Sequence, residues 1–135
     1  MEEKIELTKK QFTFRGKTLE ELNVLDVREF AKYLKSRQRR AVLRQFSEIE
    51  KFIARSKKKV AKNKQIKTHN RDMVIVPGMV GMKIGIHDGR NFTPIEITGN
   101  MLGHRFGEFA LTRQKVKHGA AGVGATKGSK AQAKK

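Results

Sequence analysis

The 135-residue chain contains no cysteine and no tryptophan, and it has only two prolines. Without cysteine there is no disulfide framework and no thiolate zinc site, which fits a reducing compartment. No apolar run approaches the roughly 18–20 residues of a membrane-spanning helix, and the N-terminus lacks the apolar centre of a signal peptide. We therefore expect a cytoplasmic protein without a membrane partner, built as one domain or as a small domain with extensions.

The chain is also poor in acidic residues, with 13 Asp and Glu against 31 Lys and Arg and a net charge of +18. This excess is segregated along the sequence. Residues 37–71 carry 13 basic and 2 acidic residues, and residues 113–135 carry 7 basic residues and no acidic one. Residues 72–112, by contrast, carry 3 basic and 4 acidic residues. Such clustering is typical of a nucleic-acid binder, because a polyanion relieves the self-repulsion of many like charges.

The patterns that identify catalytic or metal sites are missing. The four histidines lie far apart and lack the short spacing of a metal-binding pair. Residues 119–127 resemble a phosphate-binding loop superficially, but Ala125 stands where the lysine should follow, and no apolar strand precedes them. The four acids of residues 72–112 form no matched acid/base pair. We therefore predict that the protein is not an enzyme and has no catalytic residue, cofactor, metal or small-molecule substrate.

The nearly neutral residues 72–112 are predicted to form an α+β core. Residues 73–76, 82–87 and 92–97 are short runs rich in Val, Ile and Met, as expected of strands. Asp88-Gly89 lies between two of these runs and predicts a tight hairpin with a type I′ turn. Thr98 is expected to cap a short helix over residues 99–105.

Residues 1–71 are predicted to form an N-terminal helical extension with a basic linker. Four short helices of about 6–12 residues are expected, too short to be stable unless they pack on one another or on a partner. Their predicted N-terminal caps are Thr18, Asp26, Ser36 and Ser47. On the third helix, Arg40 and Arg44 are one turn apart and Arg37 lies on the same side. The lysines of residues 57–67 follow in a linker that we expect to become ordered only on a polyanion.

Residues 113–135 are predicted to be a basic, flexible C-terminal tail. Val116 and Val123 are its only sizeable apolar residues. A segment of this composition buries too little surface to offset its conformational entropy, so we expect it to be disordered in the free protein.

Several motifs occur together in a fixed order. They include Asp88-Gly89-Arg90, Leu102-Gly103-His104 and Phe106-Gly107-Glu108-Phe109-Ala110-Leu111-Thr112. In order and spacing they resemble the signature of the small-subunit ribosomal protein S19 family, and the resemblance covers nearly all of residues 12–126. Phe14-Arg15-Gly16-Lys17 is similar to the longer archaeal and eukaryotic members. The chain departs from the family at Leu111 and Ala121, where proline is usual, and in its last residues, which lack the family's apolar ending.

The resemblance implies a structural constituent of the small-subunit head that binds the 3′ major domain of small-subunit rRNA. It also implies pairing with ribosomal protein S13 and contact with other head proteins. The C-terminal arm would reach towards the decoding region and the aminoacyl-site tRNA. The implied fold is α+β, a small three-stranded mixed sheet with a short helix packed on it. A member would be found in the cytoplasm, in the small ribosomal subunit.

Arginine suits bidentate phosphate contacts, whereas lysine contributes a less specific positive charge. With few aromatic residues, base stacking is expected to be a minor contribution. The alternative is a generic basic protein that compacts DNA. The motifs above would not be expected in such a protein. The residues predicted to bind RNA are Arg37, Arg39, Arg40, Arg44, Lys57, Lys58, Lys59, Lys62, Lys64, Lys67, His69, Arg71, Lys83, Arg105, Arg113, Lys115, Lys117 and His118.

Overall fold

The computed structural model describes residues 12–115. It begins with a hairpin of β1 (Thr13–Phe14) and β2 (Lys17–Thr18). The two residues that connect these strands, Arg15 (φ 50°) and Gly16 (φ 80°), both have positive φ. That is the conformation of a type I′ turn, whose twist matches that of the flanking strands. The only type I′ connection in the described chain is therefore here, and not at Asp88-Gly89.

Four α-helices follow within the described residues: α1 (Leu19–Val24), α2 (Val27–Ala31), α3 (Ser36–Arg44) and α4 (Phe46–Ala61). The predicted starts of α1 and α2 are confirmed. The Thr18 hydroxyl accepts from the Glu21 N–H at 3.4 Å, and the Asp26 N–H donates to the Glu29 carboxylate at 3.4 Å.

The predicted starts of α3 and α4 are wrong. Ser36 is the first residue of α3 rather than its cap, and Ser47 lies inside α4. The reason is that α3 and α4 are joined directly through Gln45, which ends one helix and begins the other.

Part of the lysine-rich segment after residue 56, which was predicted to be a linker, belongs to α4. α4 is 16 residues long, so Lys57 to Lys59 form part of its last turns. Ile49, Phe52 and Ser56 form the buried side of this helix. The three lysines are exposed to solvent. Lysines near a helix C-terminus also complement the helix dipole. Asn63 (φ 50°) then turns the chain, and β3 (Ile66–Thr68) begins.

The main sheet combines β3 with β4 (Lys83–His87) and β5 (Phe92–Glu96), in the order β3-β4-β5. β3 pairs parallel to β4, and β4 pairs antiparallel to β5. The predicted α+β class with a three-stranded mixed sheet is confirmed. Ile84 and Ile86 are fully buried and form the inner side of β4. Alternate residues therefore lie on the opposite, outer face of the sheet.

The third strand is not residues 73–76, as the sequence suggested. These residues are buried but lie outside the sheet, where Val74 bridges to Arg105 and the Ile75 N–H donates to the His104 carbonyl at 2.8 Å. Residues 73–76 are apolar because they cross the core. A short apolar run of this kind looks the same in the sequence as a buried strand.

Two predicted local structures differ in detail. The hairpin between β4 and β5 is confirmed, but it has a four-residue connection. In it Gly89 has φ 108°, and the Asp88 carboxylate accepts from the N–H groups of Arg90 and Asn91. The helix predicted over residues 99–105 is reduced to a 3₁₀ turn, Gly99–Met101, which the Thr98 side chain does not cap. A second 3₁₀ turn is Phe106–Glu108.

One buried cluster includes Leu22, Phe30 and Ile49 from the helices and Ile84 and Phe106 from residues 72–112. The predicted boundary between residues 71 and 72 therefore does not separate two hydrophobic cores. In residues 12–115, no helix combines the length and the apolar character that crossing a membrane requires.

Candidate nucleic-acid interface

The first candidate surface is a small concave site on α3. Arg37, Arg40 and Arg44 lie on one side of this helix, as their spacing predicted. Arg105, which lies between the two 3₁₀ turns in the chain, lines the same site. The four arginines line a pocket of about 190 Å³, which we call the arginine pocket. Of the described residues that line it, Asp72 alone is acidic, and its carboxylate accepts from the Gln45 amide at 2.7 Å. Four guanidinium groups thus face one carboxylate, which leaves net positive charge at a concave surface.

The second candidate surface is larger and lies on the outer face of the sheet. We call this cavity of about 1070 Å³, bounded by the C-terminal end of α4, residues 80–83 and the sheet, the sheet-face groove. Its described lining includes no carboxylate. Val60, Met82 and Pro94 contribute apolar surface to it. Its basic residues are Lys57, Lys64, Lys67, Lys83 and Arg90.

Three rings meet at the sheet beside this groove. The ring centroid of His69 lies 4.3 Å from that of His87 and 5.0 Å from that of Phe92, and His87 and Phe92 are 5.0 Å apart. His87 and Phe92 are directly paired between β4 and β5, and His69 follows the last residue of β3. We call these residues the ring cluster. In the sequence these histidines are far apart. Their contact could not be predicted without the register of the parallel β3–β4 pair.

Not every arginine of α3 faces the pocket. Arg39 turns to the other side, where its Nε donates to the Ala31 carbonyl at 3.3 Å and its Nη2 to the Lys32 carbonyl at 3.0 Å. These carbonyls lie at the C-terminal end of α2, where the Ala31 carbonyl also accepts from the Leu34 N–H at 3.1 Å, so Arg39 adds donors to the helix C-terminus. Two of its donors thus bind inside the protein, and its role in RNA binding stays a prediction.

Arg71 is also engaged inside the protein. Its Nη1 donates to the His87 carbonyl, and its Nη2 donates to the carbonyls of Gly107, at 3.0 Å, and Ala110. The Gly107 N–H in turn donates to the Arg71 carbonyl at 2.8 Å. We call this arrangement the Arg71 clamp, because it ties the end of β4 to residues 106–110. Arg71 was predicted to contact RNA, and three of its five N–H groups are committed to the fold.

The family model described as ribosomal protein S19 matches residues 35–118. The small ribosomal subunit protein uS19 of Methanocella arvoryzae is 48% identical over 122 residues, which cover 90% of this chain and 86% of that relative. The chain belongs to the ribosomal protein S19 family. The resemblance seen in the sequence is thereby confirmed, and a family of structural ribosomal proteins gives no support to the DNA-compacting alternative.

The S19 family match spans both concave surfaces. All four arginines of the pocket and all the lining residues of the groove lie within residues 35–118, whereas the β1–β2 hairpin, α1 and α2 precede them. The residues that line both cavities therefore all lie in the part of the chain that the family model matches.

The other predicted RNA-binding residues of this S19 family member lie outside these two cavities. Lys58, Lys59 and Lys62 are exposed at the end of α4, and Arg113 and Lys115 are exposed near the end of the described chain. Lys117 and His118 lie outside the described residues. In residues 12–115, no group of three or more potential ligands is arranged to hold a metal ion.

Glu108 contacts the backbone of Arg105, which lines the arginine pocket. Its carboxylate accepts from the Arg105 N–H at 3.2 Å and lies 2.6 Å from Nδ1 of His104. Partial burial by itself raises the pKa of Glu108, but the hydrogen bonds from Arg105 and His104 outweigh it and lower the pKa below its ordinary value. Glu108 therefore stays ionised near neutral pH and holds the backbone that carries Arg105.

Proposed function

We propose that this protein is a structural constituent of the small ribosomal subunit, in its head, and that the arginine pocket binds the backbone of small-subunit rRNA in the 3′ major domain. The observation that carries this proposal is four guanidinium groups around a pocket of about 190 Å³ with a single carboxylate. Family membership supports the ribosomal setting, and the uS19 relative is named as a small-subunit protein. We place the protein, as its sequence indicated, in the cytoplasm.

The chemistry of the pocket suits a phosphate. A guanidinium group presents paired N–H donors that match two phosphate oxygens, and its charge does not titrate near neutral pH. Arg37, Arg40 and Arg44 are presented from one helix, so the spacing between their backbones is set before RNA arrives. RNA helices are recognised largely through shape and backbone, because side chains cannot read the narrow A-form major groove.

The test is the salt dependence of binding to a 3′ major domain rRNA fragment. Each phosphate contact contributes a slope of about −0.7 to −0.9 to the log–log plot of affinity against salt. The double variant Arg37→Ala/Arg40→Ala is expected to weaken binding and to flatten the slope by roughly 1.4–1.8. The matched control is Lys51→Ala/Arg55→Ala, which removes two exposed charges from α4 outside both cavities and should change the slope less.

An unchanged slope in the pocket variant would mean that the arginine pocket faces an acidic protein surface and not RNA. Equal affinity for duplex DNA at the same salt concentration would instead favour the DNA-compacting alternative.

We also propose that the protein pairs with ribosomal protein S13 and contacts other head proteins, which rests on the family resemblance. Mixing the two purified proteins with 3′ major domain RNA and sedimenting the product tests this. We expect each protein to increase the incorporation of the other. Independent incorporation would contradict the pairing.

The proposal for the C-terminal arm concerns residues 113–135, of which only residues 113–115 are described. Seven basic residues and no acidic one suit an arm that reaches RNA, including the aminoacyl-site tRNA. Truncation after Thr112 should leave a folded core that still enters the subunit head, with weaker rRNA affinity and altered tRNA binding or miscoding. Normal tRNA binding and fidelity in reconstituted subunits would reduce the arm to a charged anchor.

A further inference from the structure

We propose that the outer face of the sheet binds an unpaired RNA strand, with the ring cluster stacking on its bases and the groove cations holding its phosphates. This inference rests on the proposed function, since it names the form of RNA that the second basic surface binds. It also reverses the expectation that base stacking is minor.

The outer face of the sheet carries the residues that alternate with the buried isoleucines. Ile66, Ile84 and Ile86 bury the inner face, so Lys67, Gly85 and His87 point outward on the neighbouring strands. Gly85, which has no side chain, lies at the centre of this face. A Cβ there would lie 3.3 Å from both the Phe92 Cβ and the Ile66 carbonyl. Gly85 is buried under its neighbours, so the accessible part of this face is formed by Lys67, His87 and Phe92 around it.

The ring cluster has the exposure that stacking requires. His69 is exposed, and His87 and Phe92 are half-buried, so each ring is anchored by the sheet and still reaches solvent. Lys67 places its ammonium group over the Phe92 ring, 5.3 Å from the ring centroid, so a positive charge lies against the ring cluster. Rings next to basic side chains are the arrangement by which proteins bind single strands, because every base has a π face.

The charges and size of the groove identify its occupant. Five cations and no carboxylate in the described lining complement a polyanion. A cavity of about 1070 Å³ exceeds the arginine pocket of about 190 Å³ by several-fold, so it suits a short strand better than a single phosphate group. In an A-form duplex the base faces are covered by neighbouring bases, and only unpaired bases can meet the three rings. The surface therefore fits an unpaired strand.

The experiment uses the full chain and two probes: an eight-nucleotide oligoadenylate RNA with a central 2-aminopurine, and an RNA duplex of equal length. The variant is His69→Ala/Phe92→Leu, which removes two rings, keeps apolar bulk at Phe92 and deletes no lysine or arginine. His69→Phe/Phe92→Tyr restores both rings, and Tyr33→Leu removes an aromatic ring outside both cavities as the matched control. Thermal melting of each variant verifies that it is folded.

The wild type is expected to quench 2-aminopurine fluorescence. The ring-deleted variant should bind the single strand about five- to 150-fold more weakly, because stacking contributes to that extent per base. Its salt slope and its affinity for the duplex should stay unchanged, and the ring-restored variant should recover both quenching and affinity.

Equal losses for single strand and duplex, or quenching that persists without the rings, would overturn the stacking assignment. Stronger binding of an octaglutamate peptide than of the oligoadenylate at the same salt concentration would also overturn it and assign the groove to an acidic protein segment. Neither result affects the proposed function, which is tested separately by the rRNA affinity and salt slope of the Arg37→Ala/Arg40→Ala variant and by the comparison with duplex DNA.

Discussion

The Arg71 clamp and the arginine pocket use the same side chain in opposite surroundings. In the clamp, one guanidinium group is surrounded by three backbone carbonyls. In the pocket, four arginines and a single carboxylate line one small cavity. The first arrangement satisfies its donors within the protein, whereas the second concentrates like charges and leaves donors available to a ligand.

From this difference we expect two kinds of arginine: those that stabilise the free protein and those that bind a polyanion. Bringing like charges together opposes folding, and a bound phosphate removes that repulsion. A clamp arginine should therefore affect stability more than RNA binding, and a pocket arginine should affect RNA binding more than stability.

The largest effect on stability is expected for Arg71→Ala. It leaves the carbonyls of His87, Gly107 and Ala110 without their donor, and hydrogen bonds to a charged group are strong, so we expect a loss of roughly 2–4 kcal/mol of unfolding free energy. Urea denaturation of the free protein measures it. Arg40→Ala is the matched control and should leave the unfolding free energy unchanged or raise it. Equal losses in both variants would remove the distinction between clamp and pocket.

Gly107→Ala tests the clamp without removing a charge. An added Cβ would lie 3.1 Å from the Arg71 carbonyl and 3.3 Å from the Arg71 Cβ, so the backbone would have to move. Crowding of this kind is expected to lower the unfolding free energy by about 1–2 kcal/mol. Gly78→Ala is the control, because its Cβ would meet only the flexible Ile53 side chain at 3.4 Å. Similar thermal melting of the two variants would show that the clamp tolerates displacement.

Arg39→Ala divides the two sides of α3. It removes two hydrogen bonds to the C-terminal carbonyls of α2 at an exposed position, so we expect a loss of about 1 kcal/mol of unfolding free energy. The salt slope of rRNA binding should change less than in Arg40→Ala. A slope flattened as strongly by Arg39→Ala as by Arg40→Ala would show that both sides of the helix bind phosphate.

The smallest effect concerns the turn that follows His87, whose carbonyl the clamp binds. The N–H groups of Asn91 and Arg90 donate to the Asp88 carboxylate and hold its pKa below the ordinary value. A lowered folded-state pKa stabilises the protein above the unfolded-state value, and this contribution is lost as pH falls through the folded-state pKa. Asp88→Ser keeps an acceptor oxygen without the charge, so its stability should depend less on pH below about pH 4. An unchanged pH dependence would show that Asp88 does not couple the turn to acid denaturation.

Much of the fold was predictable where the pattern is local. The starts of α1 and α2 and the shared side of Arg37, Arg40 and Arg44 depend on residues within one or two helical turns, and they are confirmed. The hairpin at Asp88-Gly89 is confirmed too, but not its predicted type I′ turn. β3 was missed because Ile66 and Thr68 are too few to show an alternation among lysines. Residues 73–76 were read as a strand because burial makes both a strand and a core-crossing segment apolar.

By itself, the sequence determined the sign of the charge, its segregation along the chain and the motifs that identify the S19 family. Only the tertiary structure decided which arginines donate to the protein's own carbonyls, because the carbonyls that bind Arg71 belong to residues 16, 36 and 39 positions away. It also decided that His69, His87 and Phe92 meet, since their contact depends on the register of β3 with β4 and of β4 with β5. Charge is a property of composition, whereas the availability of a donor and the meeting of rings depend on which distant segments pack together.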